Sequence, residues 1–263
     1  MLYSVAHFHY DFAEDWQRDV FEQRLADIGF EAFENQCAYI QTALLDRAML
    51  DNLLADTDGV QLLSVAPVTD TDWNAAWETE HPSYEWLLHP TLQPTRSVPL
   101  IILPRCAFGN GTHDTTAMLL QALQQTDCRT LRHVLDNGCG TGVLAIAAAL
   151  LGAQRVTATD IDEKSIANTQ ENATVNHVSI TTLLTDTPPE GNYDLIISNI
   201  HRNILLQQMP LYASLLLPKG QLWLSGFLQA DCPVLIEKAG SNGLQLAGQR
   251  HSNEWYMLLF RKL

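Results

Sequence analysis

The chain has 263 residues, enough to bury one large core or two modest ones, and its 46% hydrophobic and 17% charged residues exclude a disordered or fibrous protein. Against 15 basic residues stand 30 acidic ones, a formal net charge of −15 that argues against a direct nucleic-acid partner and for a basic one. Cys37, Cys106, Cys128, Cys139 and Cys232 show no C-x-x-C spacing, no basic leader opens the chain and no apolar run reaches about 18 residues, so we expect a cytoplasmic protein without disulfides, zinc or a membrane span.

Leu2 to Tyr10 alternates as a strand, and Phe12, Trp16, Val20, Phe21, Leu25 and Ile28 then recur at helical spacing until Gly29. Strand patterns at Phe30–Phe33 and Ala38–Leu45, a helix over Arg47–Ala55 and an apolar run over Val60–Val68 follow. The order strand, helix, strand, strand, helix, strand predicts a small ferredoxin-like α+β domain over residues 1–69. His7 and His9 share a strand face, but no third ligand joins them and no metal site is expected.

Residues 70–104 read as a connector rich in Trp, Pro and acids. Trp73 and Trp77 lie one helical turn apart, either on a small packed helix or as an aromatic wall beside a site. A catalytic domain is expected over residues 105–263. It opens with a loop bracketed by Gly109 and Gly111, then a helix with Thr112 or Asp114 as its cap and Ala117, Leu119, Leu120 and Leu123 inward. The hydroxyls of Thr115 and Thr116 either approach the glycine turn downstream or are first-turn helix residues.

The segment HVLDNGCGTGVLAIAAALLGAQRVTATD, residues 133–160, is the centre of the chain. An apolar strand ends at Asp136 and passes into Gly138, Gly140 and Gly142. An alanine-rich helix stops at Gly152, and a second strand ends in Asp160. One right-handed βαβ unit brings both strand ends to the same edge. Glycines let backbone N–H groups approach a ligand at a helix N-terminus, and a terminal acid suits a ribose diol, so a nucleoside cofactor is expected. The dinucleotide fingerprint needs glycine at Val143, and the pattern here is G-x-G-x-G.

Beyond this unit we expect a helix over Lys164–Val175 with Ile166, Ala167 and Ala173 inward, a strand over Ser179–Leu184 leading to Asp186, and a buried strand YDLIISNI ending at Asn199. Asn199 delivers an amide to the cofactor edge or simply ends the strand. A helix over Ile204–Leu217, a strand over Gln221–Phe227, a helix over Asp231–Ala239 and an antiparallel pair, Gln245–Arg250 with Trp255–Phe260, close the chain.

The glycine turn with its preceding acid resembles the first motif of class I S-adenosylmethionine-dependent methyltransferases. Together AFGNGTHDTT, DNGCGTGVLAIAAALLGA with TDID, SNI and DWNAAWETEHP resemble the bacterial family that methylates the eleventh protein of the large ribosomal subunit, over essentially the whole chain. The resemblance implies an α/β class I methyltransferase domain, Rossmann-like with a seven-stranded mostly parallel sheet. It also implies S-adenosyl-L-methionine contacts at Thr115, Thr116, Gly138, Gly140, Asp160, Asp186 and Asn199, with Asn199 at the reacting amine. A basic ribosomal protein as substrate, captured by the N-terminal domain of a monomer, completes the expectation. Asn110 stands for the family's Thr, Asp114 for Pro, Asn137 for an apolar residue and His201 for Leu. Asn137 is expected to point a polar group from the turn, and His201 to alter the acceptor pocket. Transfer to another protein or a small amine, and an inactive cofactor-binding module, are the rival readings of the same residues.

Overall fold

The computed structural model describes residues 3–12, 14–34, 36–67, 83–91, 95, 97–105 and 112–263. Two compact units emerge, Met1–Asp72 and Trp73–Leu263. Trp73, Trp77, Cys106, Gly109, Asn110 and Gly111 lie outside the described residues.

In the first unit β1 (Tyr3–Tyr10), β2 (Phe30–Glu34), β3 (Cys37–Gln41) and β4 (Val60–Pro67) form an antiparallel sheet ordered β2-β3-β1-β4. Helices α1 (Asp15–Asp27) and α2 (Arg47–Ala55) cover one face. Alternation places Ala6, Phe8, Ala38 and Ile40 on that face, where they pack with Phe21 and Leu25 of α1 and Leu50 and Leu53 of α2. The Asp46 carboxylate starts α2 by accepting from the backbone N–H groups of Ala48 and Met49. This is the expected ferredoxin-like order. His7 Nδ1 lies 3.1 Å from Cys37 Sγ.

The second unit begins with an antiparallel pair, β5 (Tyr84–Leu88) and β6 (Val98–Ile102), inside the stretch read as a connector. Leu88, Val98, Leu100 and Ile102 belong to the main core. Then come α3 (Asp114–Gln124), β7 (Val134–Asn137), α4 (Val143–Leu150), β8 (Val156–Asp160), α5 (Glu163–Val175), β9 (Thr181–Leu184) and β10 (Tyr193–Asn199). Helix α6 (Arg202–Leu215), β11 (Leu216–Leu228), α7 (Cys232–Gly240), β12 (Leu244–Ser252) and β13 (Trp255–Lys262) complete it. Seven strands lie in the order β12-β13-β11-β10-β7-β8-β9, parallel from β11 to β9, with β13 antiparallel to both its neighbours. The chain reverses direction across the sheet at β7, which has β8 on one side and β10 on the other. Open α/β sheets place their ligands at such a reversal, outside the carboxyl ends of the strands.

Helix α4 is buried from Val143 to Ala148. Its small side chains allow close packing on the sheet, and the chain leaves it through Gly152 at φ 109°. Helix α6 stops at Leu215 and β11 starts at once with Leu216, earlier than its apolar pattern implies, because Leu216 pairs with Tyr193. Two inward positions expected from apolar spacing point outward instead. Ala117 and Ala167 are exposed, while Thr115, Thr116 and Met118 on α3 and Asn168, Thr169 and Asn172 on α5 are buried.

The polar face of α5 has a definite task. Asn172 and Asn176, one turn apart, use their amides as surrogate backbone: Asn172 Oδ1 accepts from Leu103 N and Asn176 Oδ1 from Ile101 N, both at 2.8 Å. Their Nδ2 groups donate back to the carbonyls of Leu103 and Ile101. Asn172 Nδ2 also donates to the Thr141 carbonyl at 2.9 Å, and the Thr169 hydroxyl to the Gly140 carbonyl at 3.0 Å. One helix face thus holds both the end of β6 with the residue after it and the glycine turn.

Candidate active site

Gly138, Gly140 and Gly142 all have positive φ (80°, 52° and 80°), and a Cβ on Gly138 would collide with the Ile200 side chain. The turn's N–H groups are taken up internally: Gly138 and Cys139 donate to the Thr159 carbonyl at 2.8 and 2.9 Å, and Gly140 donates to Asp160 Oδ2 at 2.9 Å. These N–H groups, expected to be open to a ligand, are thus bonded within the chain, and the glycines leave the turn without side chains. Before the turn, Asp136 is wholly buried; its Oδ2 accepts from Ala145 N at 3.0 Å and burial pushes its pKa up to about 7.

Asp160 ends β8 with Oδ1 accepting from Asp162 N and Oδ2 from Gly140 N, which leaves each oxygen a further lone pair. Its carbonyl accepts from Thr185 N at 2.9 Å, so the loop carrying Asp186 is pinned beside it. Ile161, the next residue, is 76% exposed, an apolar surface directly beside the acid.

Across the reversal, Asn199 ends β10. Its Nδ2 donates to Thr115 Oγ1 at 3.1 Å and Thr116 Oγ1 at 3.3 Å, joining positions 84 residues apart in the chain. Its Oδ1 is buried without a partner. Helix α3 is capped by His113, not by Thr112 or Asp114: the ring accepts from Thr115 N and packs edge-on against Trp255 with centroids 5.0 Å apart. The Trp255 Nε1–H is a second buried polar group without a partner. Asp136 Oδ1 and Asn168 Oδ1 are likewise buried without a partner among the described residues.

Comparison with known proteins decides the family. The model of the ribosomal protein L11 methyltransferase family matches residues 6–263. The chain belongs to that family. A ribosomal protein L11 methyltransferase of Porphyromonas gingivalis is 41% identical over 92% of this chain and 90% of its own, and one of Bacteroides thetaiotaomicron is 32% identical over 99% of both. Among solved structures, a ribosomal protein L11 methylase from Lactobacillus delbrueckii subsp. bulgaricus superposes with a TM-score of 0.56 at 34% identity, covering 60% of this chain and 82% of that one. A T. thermophilus 16S rRNA methyltransferase, solved with AdoMet and guanosine, has a TM-score of 0.51 at 19% identity over 81% of this chain and 62% of its own, and shares the fold alone.

Within the L11 methyltransferase family, this chain's Asp114 and Asn137 are held by identifiable partners. Asp114 accepts from the Ser252 hydroxyl at 2.7 Å and Asn253 Nδ2 at 2.9 Å, fastening the β12–β13 turn to the start of α3. Asn137 points away from the turn rather than out of it: its Oδ1 accepts from the Thr159 hydroxyl and its Nδ2 donates to Gln208 and Tyr212. The expectation that it points a polar group from the turn is corrected, since the amide is bonded and buried. His201 is exposed and precedes α6 as its N-cap residue. Gly138, Gly140 and Asp160 come together on one side of the reversal and Thr115, Thr116 and Asn199 on the other. Asp186 is an exposed residue whose carboxylate accepts from the Thr187 hydroxyl. Sequence reasoning missed Ile161, His113 as cap, and Trp255; an isolated aromatic after a tight turn and an apolar residue between two acids were the available signals.

Proposed function

We propose that the chain, acting as a monomer, transfers methyl groups from S-adenosylmethionine to lysine ε-amino or N-terminal α-amino groups of the large-subunit ribosomal protein named for its relatives, L11. The observation that carries this reading is Asn199, whose amide is oriented by Thr115 and Thr116 and whose Oδ1 is buried and unpartnered. The residues fit the cofactor: the bare turn of Gly138 and Gly140 admits a close ligand, Asp160 keeps lone pairs for a ribose diol, and Ile161 offers an apolar surface to a base. Asp186 lies on the adenine side, and Thr115, Thr116 and Asn199 lie at the methionine end.

Bound S-adenosylmethionine supplies a methyl group activated on a sulfonium. The protein's task is alignment, since in-line displacement needs the amine lone pair on the S–CH₃ axis. Asn199 Oδ1 can accept an amine N–H and so turn the lone pair toward the methyl group. The amine must be neutral: a free lysine would cost about 4.6 kcal/mol to deprotonate at pH 7 and an α-amino group about 1. Burial of the amine would disfavour the ammonium and lower this cost.

Charge supports the substrate class. Residues 1–72 hold 14 of the 30 acidic residues and only 3 of the 15 basic ones, so the first unit carries −11 of the net −15. An acidic, separately folded unit without cofactor motifs reads as a handle for a basic protein. The test is transfer of labelled methyl groups from S-adenosylmethionine to purified large-subunit proteins, read by mass spectrometry, for the wild type and Asn199→Ala. Label confined to one basic ribosomal protein and strongly reduced in the variant is the expected result. Label on a small amine instead, or unchanged transfer by Asn199→Ala, would overturn the substrate or the site assignment respectively.

A further inference from the structure

Three strands and one helix converge behind the glycine turn on a polar cluster that the transfer of a methyl group does not require. Asn137, Thr159, Ser198 and Tyr212 are each less than a tenth exposed. The Thr159 hydroxyl donates to Asn137 Oδ1 at 3.0 Å, which obliges Asn137 Nδ2 to face α6. There it donates to Gln208 Oε1 at 3.0 Å and to the Tyr212 hydroxyl at 2.9 Å. Tyr212 in turn donates to Gln208 Oε1 at 2.6 Å, and the Ser198 hydroxyl to the Asn137 carbonyl at 3.0 Å.

Two donors on Gln208 Oε1 leave its amide one orientation. Nε2 then points the other way, and it donates to the Asp186 carbonyl at 2.9 Å. The cluster is a rigid strut from the residue before Gly138 to the backbone of Asp186, two residues after the end of β9. Asp186 is otherwise an exposed loop residue, tied through its neighbour Thr185 to the Asp160 carbonyl. One of its carboxylate oxygens accepts from Thr187, leaving the other to accept from a ligand.

We infer that Gln208, oriented by Asn137 and Tyr212, is a positioning residue that sets the nucleobase selectivity of the cofactor site by holding Asp186 where its carboxylate meets the exocyclic amine of adenine. The inference rests on the cofactor reading above and adds to it a residue that touches no ligand. A carboxylate placed for an amino group discriminates against an oxo group at the same position, because two acceptors then face each other. Freed from Gln208, the loop would let Asp186 turn to water, and that discrimination would go.

The experiment measures, by calorimetry on the full chain, the affinities of S-adenosylhomocysteine and of S-inosylhomocysteine, which differ in amino against oxo at C6 and in the hydrogen that the oxo form carries on N1. The wild type should prefer the adenine ligand by about tenfold or more, the worth of one hydrogen bond to a charged acceptor. Gln208 is partly exposed on a helix, so Gln208→Ala is expected to fold. Gln208→Glu keeps the acceptor for Asn137 and Tyr212 and turns the donor to the Asp186 carbonyl into a charged acceptor. Both variants should bring the two affinities within about twofold of each other, mainly by weakening the adenine ligand. Preserved preference in Gln208→Glu, or an equal weakening of both ligands in the two variants, would show a merely supporting role and overturn the inference. A wild type that binds S-adenosylhomocysteine without preference would remove Asp186 as the base contact and the inference with it, whereas a wild type that binds neither ligand would overturn the cofactor reading itself.

Discussion

Asp136 and Asp160 stand at neighbouring strand ends, yet their surroundings give them opposite tasks. Asp136 is sealed in, with one oxygen on Ala145 N and the other unpartnered, and burial holds its pKa near 7. Between the unfolded value of about 3.9 and that folded value, the folded chain keeps a proton that the unfolded chain has released. This contribution to stability is therefore complete below about pH 4 and is lost as pH rises through about 7, at about 1.4 kcal/mol per unit of separation at most. Asp136→Asn keeps the acceptor for Ala145 and cannot ionise. Its thermal stability should vary less between pH 4 and pH 8 than that of the wild type and exceed it at pH 8. Glu22, in the other unit, is also raised to about 7 by burial, so the comparison of the two proteins isolates Asp136 from it. Superposable pH profiles would mean that Asp136 stays ionised in the fold. For Asp160 the prediction concerns a ligand: Asp160→Ala should weaken S-adenosylmethionine by about 1–3 kcal/mol, because the ribose hydroxyls and Gly140 N lose their acceptor. Equal affinity by calorimetry would remove the ribose assignment.

Among the elements, the βαβ unit around residues 133–160 was legible because its signals are backbone signals: alternate glycines, an unbroken alanine helix and an acid at a strand end. The ferredoxin-like unit was legible for a similar reason, since alternation in β1 and β3 and spacing in α1 and α2 agree on one core. Other elements hid behind side chains whose role is not apolar. Helix α5 buries Asn168, Thr169 and Asn172, a face that hydrophobic periodicity reads as solvent, and Ala167 was placed inward in its stead. Hairpin β5–β6 lay in a stretch dense in proline and tryptophan, and its second strand finds partners on a helix rather than in the large sheet. Similarly, His113 caps α3 where a threonine or aspartate had the stronger prior. At the site, Asp160 and Asn199 could be named from strand ends, but the link from Asn199 to Thr115 and Thr116 is a contact between distant segments that spacing does not contain. Asn172 tests this account of α5. Asn172→Ala strands Leu103 N and Thr141 O together, while the Leu103 carbonyl keeps Asn168 Nδ2, and should cost about 1–3 kcal/mol, measured by denaturant unfolding. A cost near zero would show that the helix packs without its amides.

For the molecule as a whole, charge and chemistry are divided between the units: most of the net negative charge lies in residues 1–72, and every residue assigned to the cofactor lies beyond them. A chain beginning near Thr69 should keep S-adenosylmethionine binding and lose methylation of the ribosomal protein. In the full chain, that methylation should weaken as salt rises while transfer to a short uncharged peptide amine changes little. Equal, salt-independent transfer by both chains would show that the first unit is not the recognition element. The asparagine face of α5 has a consequence of another kind, for the order in which the second unit comes apart. The amides of Ile101 and Leu103 are closed by side chains and not by a neighbouring strand, so they open when α5 opens. In hydrogen–deuterium exchange, two residues of a peripheral hairpin should therefore share the protection and the denaturant sensitivity of residues 163–175, while the amide of Thr91, bonded to the Gln124 carbonyl at the end of α3, follows a separate clock.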